Sequence, residues 1–111
     1  MEFDGNKPIY LQIVDVICDN ILDGTLKPDG RILSVREYGA QLGVNPNTIM
    51  RSYEKLTTDE IIYNKRGLGY FISPDARDKV LAIRRAQFLE EVVPKIRRQM
   101  TLLGFGPEIF E

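Results

Sequence analysis

The first part of the chain carries apolar residues at the spacing of an amphipathic helix. Pro8 stands just before this pattern, and Asp23-Gly24 follows its last member. Proline is well tolerated at the start of a helix, and glycine commonly ends one. We therefore predict a first helix between these points, with an apolar face that contains Ile9, Ile13, either Val16 or Ile17, and Ile21.

Two shorter helices are predicted next, each by its own capping signal. Ser34 and Glu37 have the spacing of a capping box, in which each side chain accepts a hydrogen bond from the other residue's backbone N–H. Asn45 can cap the following helix with Pro46 at its first position, and Gly43 suits the left-handed end of the helix before it. The apolar faces contain Val35, Tyr38 and Leu42 in one helix and Ile49, Tyr53 and Leu56 in the other. Two such helices joined by a tight turn form a helix-turn-helix, whose second helix fits the DNA major groove.

A β-hairpin is predicted directly after these helices. Residues 61–64 and 70–73 are rich in β-branched and aromatic side chains, and residues 65–69 contain two basic side chains and two glycines. Taken alone, this pattern fits an ordinary hairpin with a solvated basic turn. Its position after a helix-turn-helix favours a wing, whose tip can reach the DNA backbone or minor groove. The predicted fold class is therefore mainly α with a small β-hairpin, a winged helix-turn-helix over residues 1–73.

Residues 74–111 are predicted to form a helical dimerisation region, either one helix or a helix pair. Apolar residues follow there at alternating spacings of four and three, as at the a and d positions of a heptad repeat. Pro94 removes one helical hydrogen bond, so it should kink the helix or break it near Val92. Leu81, Phe88 and Val92 add apolar surface that also fits packing on the winged domain. The predicted dimerisation residues are Ala82, Ala86, Leu89, Val93, Ile96, Met100 and Leu103.

The residue types present argue against an enzyme. The 111 residues include no histidine, which removes the commonest general base and metal ligand. Cys18 is the one cysteine, and its place among apolar residues of the first helix predicts a core side chain. No catalytic residue, metal or cofactor is predicted. No apolar run reaches the length of a membrane span, and residues 1–5 lack the features of a signal peptide, so we expect a cytoplasmic protein.

The charge of the chain has to be considered by segment. The net charge is −1 and the pI is near 5.5, which is unusual for a DNA-binding domain. Residues 1–26 carry one basic and five acidic side chains, whereas residues 27–72 carry seven basic and five acidic ones. The basic excess coincides with the helix-turn-helix and the hairpin, although an excess of two also fits ordinary scatter.

Several segments, in this order along the chain, resemble the GntR family of bacterial transcription regulators. They are Pro8-Ile9-Tyr10-Leu11-Gln12-Ile13, Gly24-Thr25-Leu26-Lys27-Pro28, Ser34-Val35-Arg36-Glu37, Leu42-Gly43-Val44-Asn45-Pro46-Asn47-Thr48 and Arg66-Gly67-Leu68-Gly69-Tyr70-Phe71. The resemblance covers residues 8–73 almost without a gap. The form of residues 45–48 and the short helical C-terminus resemble the YtrA subfamily.

The resemblance also implies which residues contact DNA. Arg36 would contact a phosphate or a guanine edge, the start of the third helix would lie against the groove, and Arg66 with Gly67 would form the wing tip. These residue types suit such roles, since Arg pairs with guanine, Asn with adenine, and Thr with phosphate or a thymine methyl. Each role has a plainer alternative. Asn45 is equally suited to act only as a helix cap, and Arg36 also fits a solvated helix residue. Ser34 is assigned mainly to capping. The predicted DNA-binding residues are Ser34, Arg36, Asn45, Asn47, Thr48, Arg51, Lys65, Arg66 and Gly67.

The chain departs from the family pattern in four places. Pro46 and Met50 replace residues that are often arginine, so direct base readout by the third helix should be thinner. Asp29-Gly30 inverts the usual order, and Leu33 replaces a common proline before the capping box. Glu60 stands where glycine usually turns the chain into the wing, so we expect the third helix to end with another cap geometry.

The leading hypothesis is a homodimeric transcription regulator, a repressor, that reads a two-fold symmetric operator in double-stranded DNA. A small-molecule effector is compatible with it, because any ligand that changes the dimer arrangement changes the spacing of the two recognition helices. One alternative is a winged-helix protein-interaction module, which the acidic pI favours and whose heptads would bind a different helical partner. Another is the DNA-binding end of a longer regulator.

Overall fold

The computed structural model describes residues 3–111 and divides into two compact units. The first unit ends at Val80, and the second comprises Leu81–Glu111. The division falls inside a helix, whereas the predicted domain boundary after residue 73 lies just before that helix. The assignment of separate DNA-binding and dimerisation regions stays a prediction.

The first unit is built from three helices followed by a two-stranded antiparallel sheet. In chain order the elements are α1 (Ile9–Leu22), α2 (Val35–Leu42), α3 (Pro46–Thr58), β1 (Ile62–Lys65) and β2 (Gly69–Ile72), and then α4 (Ala76–Gln87) begins. The two strands pair with Ile62 opposite Ile72 and Lys65 opposite Gly69. This order confirms the predicted mainly α winged helix-turn-helix.

The core of the first unit lies between α1, α3 and the hairpin. Ile49, Tyr53 and Leu56 of α3 are at most 1% exposed, which confirms the predicted apolar face of this helix. Cys18 is buried, as predicted. The other buried apolar side chains include Ile13, Ile17 and Ile21 of α1, Ile61, Ile62 and Ile72 of the hairpin, and Ala76 and Val80 of α4.

The tight turn between α2 and α3 depends on a glycine that the hydrophobic pattern did not single out. Gly39 is the buried residue of α2, while the predicted inward residues Val35, Tyr38 and Leu42 are only half-buried. A Cβ atom at Gly39 would lie 2.8 Å from the carbonyl oxygen of Val44. Since that distance is too short for any side chain, glycine lets the chain fold back against α2.

The chain before α2 pairs with the outer edge of the wing. The backbone N–H of Ile32 donates to the Tyr70 carbonyl at 3.0 Å, and the N–H of Ile72 donates to the Gly30 carbonyl at 2.9 Å. Arg31 forms a bridge with Phe71 between these two bonds. The sequence predicted only a short extended piece here, because its partner lies about forty residues further along the chain.

The third helix, α3, ends with the left-handed geometry that the presence of Glu60 in place of glycine had argued against. Glu60 takes the left-handed conformation, with φ of 60°, so the expectation of another cap geometry was wrong. The N–H of Glu60 donates to the Thr57 carbonyl and that of Ile61 to the Leu56 carbonyl, which is the bonding of a Schellman motif. The Glu60 carboxylate is bound at 2.7 Å by the ammonium group of Lys79. These contacts stabilise Glu60 in a left-handed conformation that only glycine adopts without strain.

The second unit continues the helix through a π-helical turn. The turn spans Phe88–Val92 and leads into α5 (Val93–Leu103), and a 3₁₀ turn (Pro107–Phe110) follows. Pro94 cannot donate to the carbonyl four residues before it, and its ring crowds that carbonyl. The wider turn, in which the N–H of Val93 donates to the Phe88 carbonyl, relieves this conflict without a break. Among residues 3–111, no helix combines the length and the apolar character needed to cross a membrane.

Candidate nucleic-acid interface

The helix α3 presents polar side chains on the side opposite its buried face. Its start is fixed by Asn45, whose Oδ1 accepts a hydrogen bond from the Asn47 N–H at 2.8 Å, and by Pro46 in the first turn. Asn47 and Arg51 are exposed, and Thr48 is half-buried. Because the Asn45 side-chain oxygen is engaged in the cap, Asn47 and Arg51 are left as exposed polar groups in the first half of the helix, and Glu54 and Lys55 are exposed one turn further on.

A shallow surface depression of about 370 Å³ brings three of the predicted residues together. Asn47, Thr48 and Arg51 line it, along with Tyr10 and its neighbours from the start of α1. The guanidinium carbon of Arg51 lies 4.0 Å from the centre of the Tyr10 ring, a cation–π contact. The Ser52 hydroxyl donates to the Tyr10 backbone carbonyl at 2.8 Å, which ties the first turn of α1 to α3.

Tyr10 and Ser52 were not predicted as parts of this surface. Each lies in a helix whose apolar face was recognised, but the contact between them joins residues 42 positions apart. Only the packing of α1 against α3 brings these residues together.

The first turn of α2 holds Arg36 beside a completed capping box. The Glu37 N–H donates to Ser34 Oγ at 3.1 Å, and the Ser34 N–H donates to Glu37 Oε1 at 3.0 Å. The backbone hydrogen bond from Ser34 lowers the pKa of Glu37, so the carboxylate stays ionised. Ser34 is thus engaged in capping, as its main predicted role required, and Arg36 is exposed one residue before Glu37.

The wing tip is a tight turn with basic side chains. Lys65 is the last residue of β1 rather than part of the turn, and the Leu68 N–H donates to its carbonyl at 2.8 Å. Gly67 has φ of 80°, the left-handed conformation that a type II turn requires at its third residue. The Lys65 ammonium lies 5.2 Å from the centre of the Phe71 ring, while Arg66 is exposed at the tip.

Tyr70 of β2 joins the wing to α3. Its ring meets the Tyr53 ring edge-on at 4.9 Å between centres, and its hydroxyl lies 3.8 Å from the Met50 sulfur as a donor. Met50 is therefore a contact between the third helix and the wing.

The four basic side chains of this surface have no carboxylate partner among the described residues. Arg36, Arg51, Lys65 and Arg66 make no ion pair there, whereas three lysines elsewhere in the first unit do. Those pairs are Lys7 with Asp15, Lys55 with Asp59 and Lys79 with Glu60, at 2.6 to 2.9 Å. Cations without an internal carboxylate partner can neutralise phosphates without first breaking an ion pair.

The predicted dimerisation residues lie in the second unit on two helical segments. Leu89, Ile96 and Leu103 are 65%, 39% and 66% exposed, and Val93 and Met100 are half-buried. The π-helical turn adds about one residue, so positions in α5 are rotated by roughly 100° relative to those of α4. Ala82 and Ala86 therefore do not continue one straight stripe with Ile96, Met100 and Leu103, as an uninterrupted heptad would require.

Comparison with known proteins agrees with this architecture. The family model of "Bacterial regulatory proteins, gntR family" matches residues 9–72, more than half of the chain. The chain belongs to the GntR family. Among curated relatives, the HTH-type transcriptional regulator YhcF of Bacillus subtilis is 36% identical over 96% of this chain and 87% of its own length. The HTH-type transcriptional repressor YtrA of the same organism is 33% identical over 79% of this chain and 68% of its own length.

Solved structures of DNA-binding proteins share the fold. A GntR family transcriptional regulator from Listeria monocytogenes is 37% identical, covers 97% of this chain and 93% of its own, and has a TM-score of 0.82. The DNA-binding domain of AraR, solved in complex with operator ORR3, is 30% identical, covers 66% of this chain and 86% of its own, and has a TM-score of 0.59. The predicted GntR membership and the resemblance to YtrA are thus confirmed, and the family and these relatives are regulators rather than enzymes.

Proposed function

We propose that this GntR-family protein is a sequence-specific repressor that binds double-stranded DNA as a homodimer on a two-fold symmetric operator. The observation that carries the proposal is the surface around α3, where Asn47 and Arg51 face outward near a wing that bears Lys65 and Arg66. The operator complex of the AraR domain and the repressor name of YtrA support it. Chromosomal DNA as the partner places the proposed activity in the cytoplasm.

In the proposed complex, α3 enters the major groove with its N-terminal half. Asn47 suits adenine and Arg51 suits guanine or phosphate, while Arg36 and the wing contact the backbone on either side. Since α3 offers few strong base readers, two-fold pairing would supply much of the affinity and specificity.

The proposed dimer uses the apolar positions of the second unit. Leu89, Ile96 and Leu103 are exposed there, and an exposed set of this kind is costly unless a partner helix covers it. Pairing would set the distance between the two α3 helices at about 34 Å, one turn of DNA. A small-molecule effector would then act by shifting the population of that arrangement.

The proposal is tested by DNA binding at several salt concentrations. A fluorescent fragment from the region upstream of the gene is titrated with the full chain, and a scrambled fragment serves as the control. If four cations of each subunit reach phosphates, about eight in the dimer, the logarithm of the binding constant falls with the logarithm of salt with a slope as steep as about −7. Failure to bind any upstream fragment at low salt would reject the regulator and favour a protein-interaction module.

A further inference from the structure

The first unit contains a second concave site, away from the depression beside Arg51. It is a cavity of about 420 Å³ bounded by α1, the segment before α2, α2 itself and one side chain of α3. Its apolar wall is formed by Ile17, Leu26, Ile32 and the Tyr53 ring. Its volume lies within the range of about 300 to 1,000 Å³ that is typical of small-molecule sites.

Polar side chains without a hydrogen-bond partner in the described residues line this cavity. Asn20, Arg31, Tyr38 and Gln41 line it, and within residues 3–111 none of these side chains makes a hydrogen bond. The Tyr53 hydroxyl, by contrast, is engaged with the Leu33 carbonyl at 2.6 Å. Burial raises the pKa of Tyr38, which keeps its hydroxyl protonated and able to donate. The cavity therefore presents several uncommitted donors and acceptors beside an apolar wall.

The wall also carries one positive and one negative side chain. Arg31 lies on the segment before α2, and Glu37 lies in the first turn of α2. They lie close enough for the Arg31 charge to lower the pKa of Glu37, but they form no direct ion pair, so a ligand can bind between the two charges. Glu37 uses Oε1 to accept the Ser34 N–H, which holds the carboxylate in a fixed position.

We propose that this cavity binds a small zwitterion of the α-amino-acid type with an apolar side chain. The carboxylate of the ligand pairs with Arg31, and its ammonium group pairs with Glu37. The apolar side chain lies against Ile17, Ile32 and the Tyr53 ring. Asn20, Tyr38 and Gln41 complete the polar contacts.

A ligand bound in this cavity would affect the proposed DNA-binding surface through α2. Glu37 closes the capping box next to Arg36, and Arg31 is bridged to the wing strand β2. This effect on operator binding rests on the proposed function, whereas binding of the zwitterion does not. The test is therefore carried out without DNA, so that failure of one proposal can be told from failure of the other.

The full chain, labelled with ¹⁵N, is titrated with millimolar L-phenylalanine and, separately, L-leucine. We expect chemical shift changes concentrated in the side-chain amide signals of Asn20 and Gln41 and the backbone signals of Glu37 and Tyr38. Phenethylamine and 3-phenylpropionate, each lacking one charge, should bind at least about tenfold more weakly than phenylalanine. The proposal is overturned if neither amino acid shifts these signals, if the shifts lie elsewhere, or if either single-charge analogue binds as well.

Charge-removing variants locate the site. Arg31→Gln and Glu37→Gln should each weaken binding of the responding amino acid at least about tenfold, and glutamine at position 37 can still complete the capping box. Arg77→Gln, which removes an exposed charge away from this cavity, is the matched control and should bind normally. Thermal melts by circular dichroism verify folding. A folded Arg31→Gln or Glu37→Gln protein with unchanged affinity would refute the zwitterion site.

Discussion

Arg51 stacks on the Tyr10 ring. We therefore predict that Tyr10 contributes to the affinity for DNA by positioning Arg51, even if Tyr10 itself does not contact the DNA. Replacing Tyr10 by leucine keeps an apolar side chain but removes the ring that lies 4.0 Å from the guanidinium carbon. An exposed cation–π contact contributes about 0.5 to 1 kcal/mol. In a dimer both copies count, so the Tyr10→Leu protein should bind its operator about 1 to 2 kcal/mol more weakly, roughly 5- to 30-fold.

Fluorescence anisotropy with labelled operator measures this loss. Tyr10→Phe keeps the ring and should bind within about twofold of the parent protein, since the stacked face is unchanged. In an Arg51→Ala background, Tyr10→Leu should have little further effect, because the group it positions is absent. Equal affinities for the leucine and phenylalanine variants, or full additivity with Arg51→Ala, would show that the ring does not act through Arg51.

The remaining predictions concern the other contacts of the interface, the dimer and the core. Arg36→Ala and Arg66→Ala should each weaken operator binding, by about 1 to 3 kcal/mol for a base contact, with an unchanged thermal melt; a collapsed melt would mark a structural role. Ile96→Glu should give a monomer by analytical ultracentrifugation and abolish tight operator binding, whereas Arg98→Glu on the opposite side of α5 should stay dimeric; a dimeric Ile96→Glu would contradict the assignment. Tyr53→Phe removes the part-buried hydrogen bond to the Leu33 carbonyl and should lower the free energy of unfolding in urea by about 0.5 to 1.5 kcal/mol; no measurable loss would argue against that bond.

The helices of the winged unit could be predicted from sequence because their signals are local. The Ser34–Glu37 capping box and the Asn45 cap with Pro46 each act within a few residues, and both form as predicted. The apolar face of α3 follows from its spacing alone, since the helical period decides which side chains point the same way. The family motifs added the order of these elements, and with it the wing.

Contacts between distant segments were decided by the tertiary structure. The stacking of Tyr10 under Arg51 and the pairing of residues 30–32 with β2 join parts of the chain about forty residues apart, and no local pattern encodes such partners. Local preference was overruled at Glu60, where the Schellman bonds and Lys79 hold a left-handed glutamate. At Pro94 the sequence identified the conflict in the helix, but whether a kink, a break or a π-helical turn resolves it depends on the backbone around it. Sequence by itself therefore determined the elements, the caps and the family of this protein. Packing decided which side chains meet, because a folded chain brings together residues that its local periodicity cannot relate.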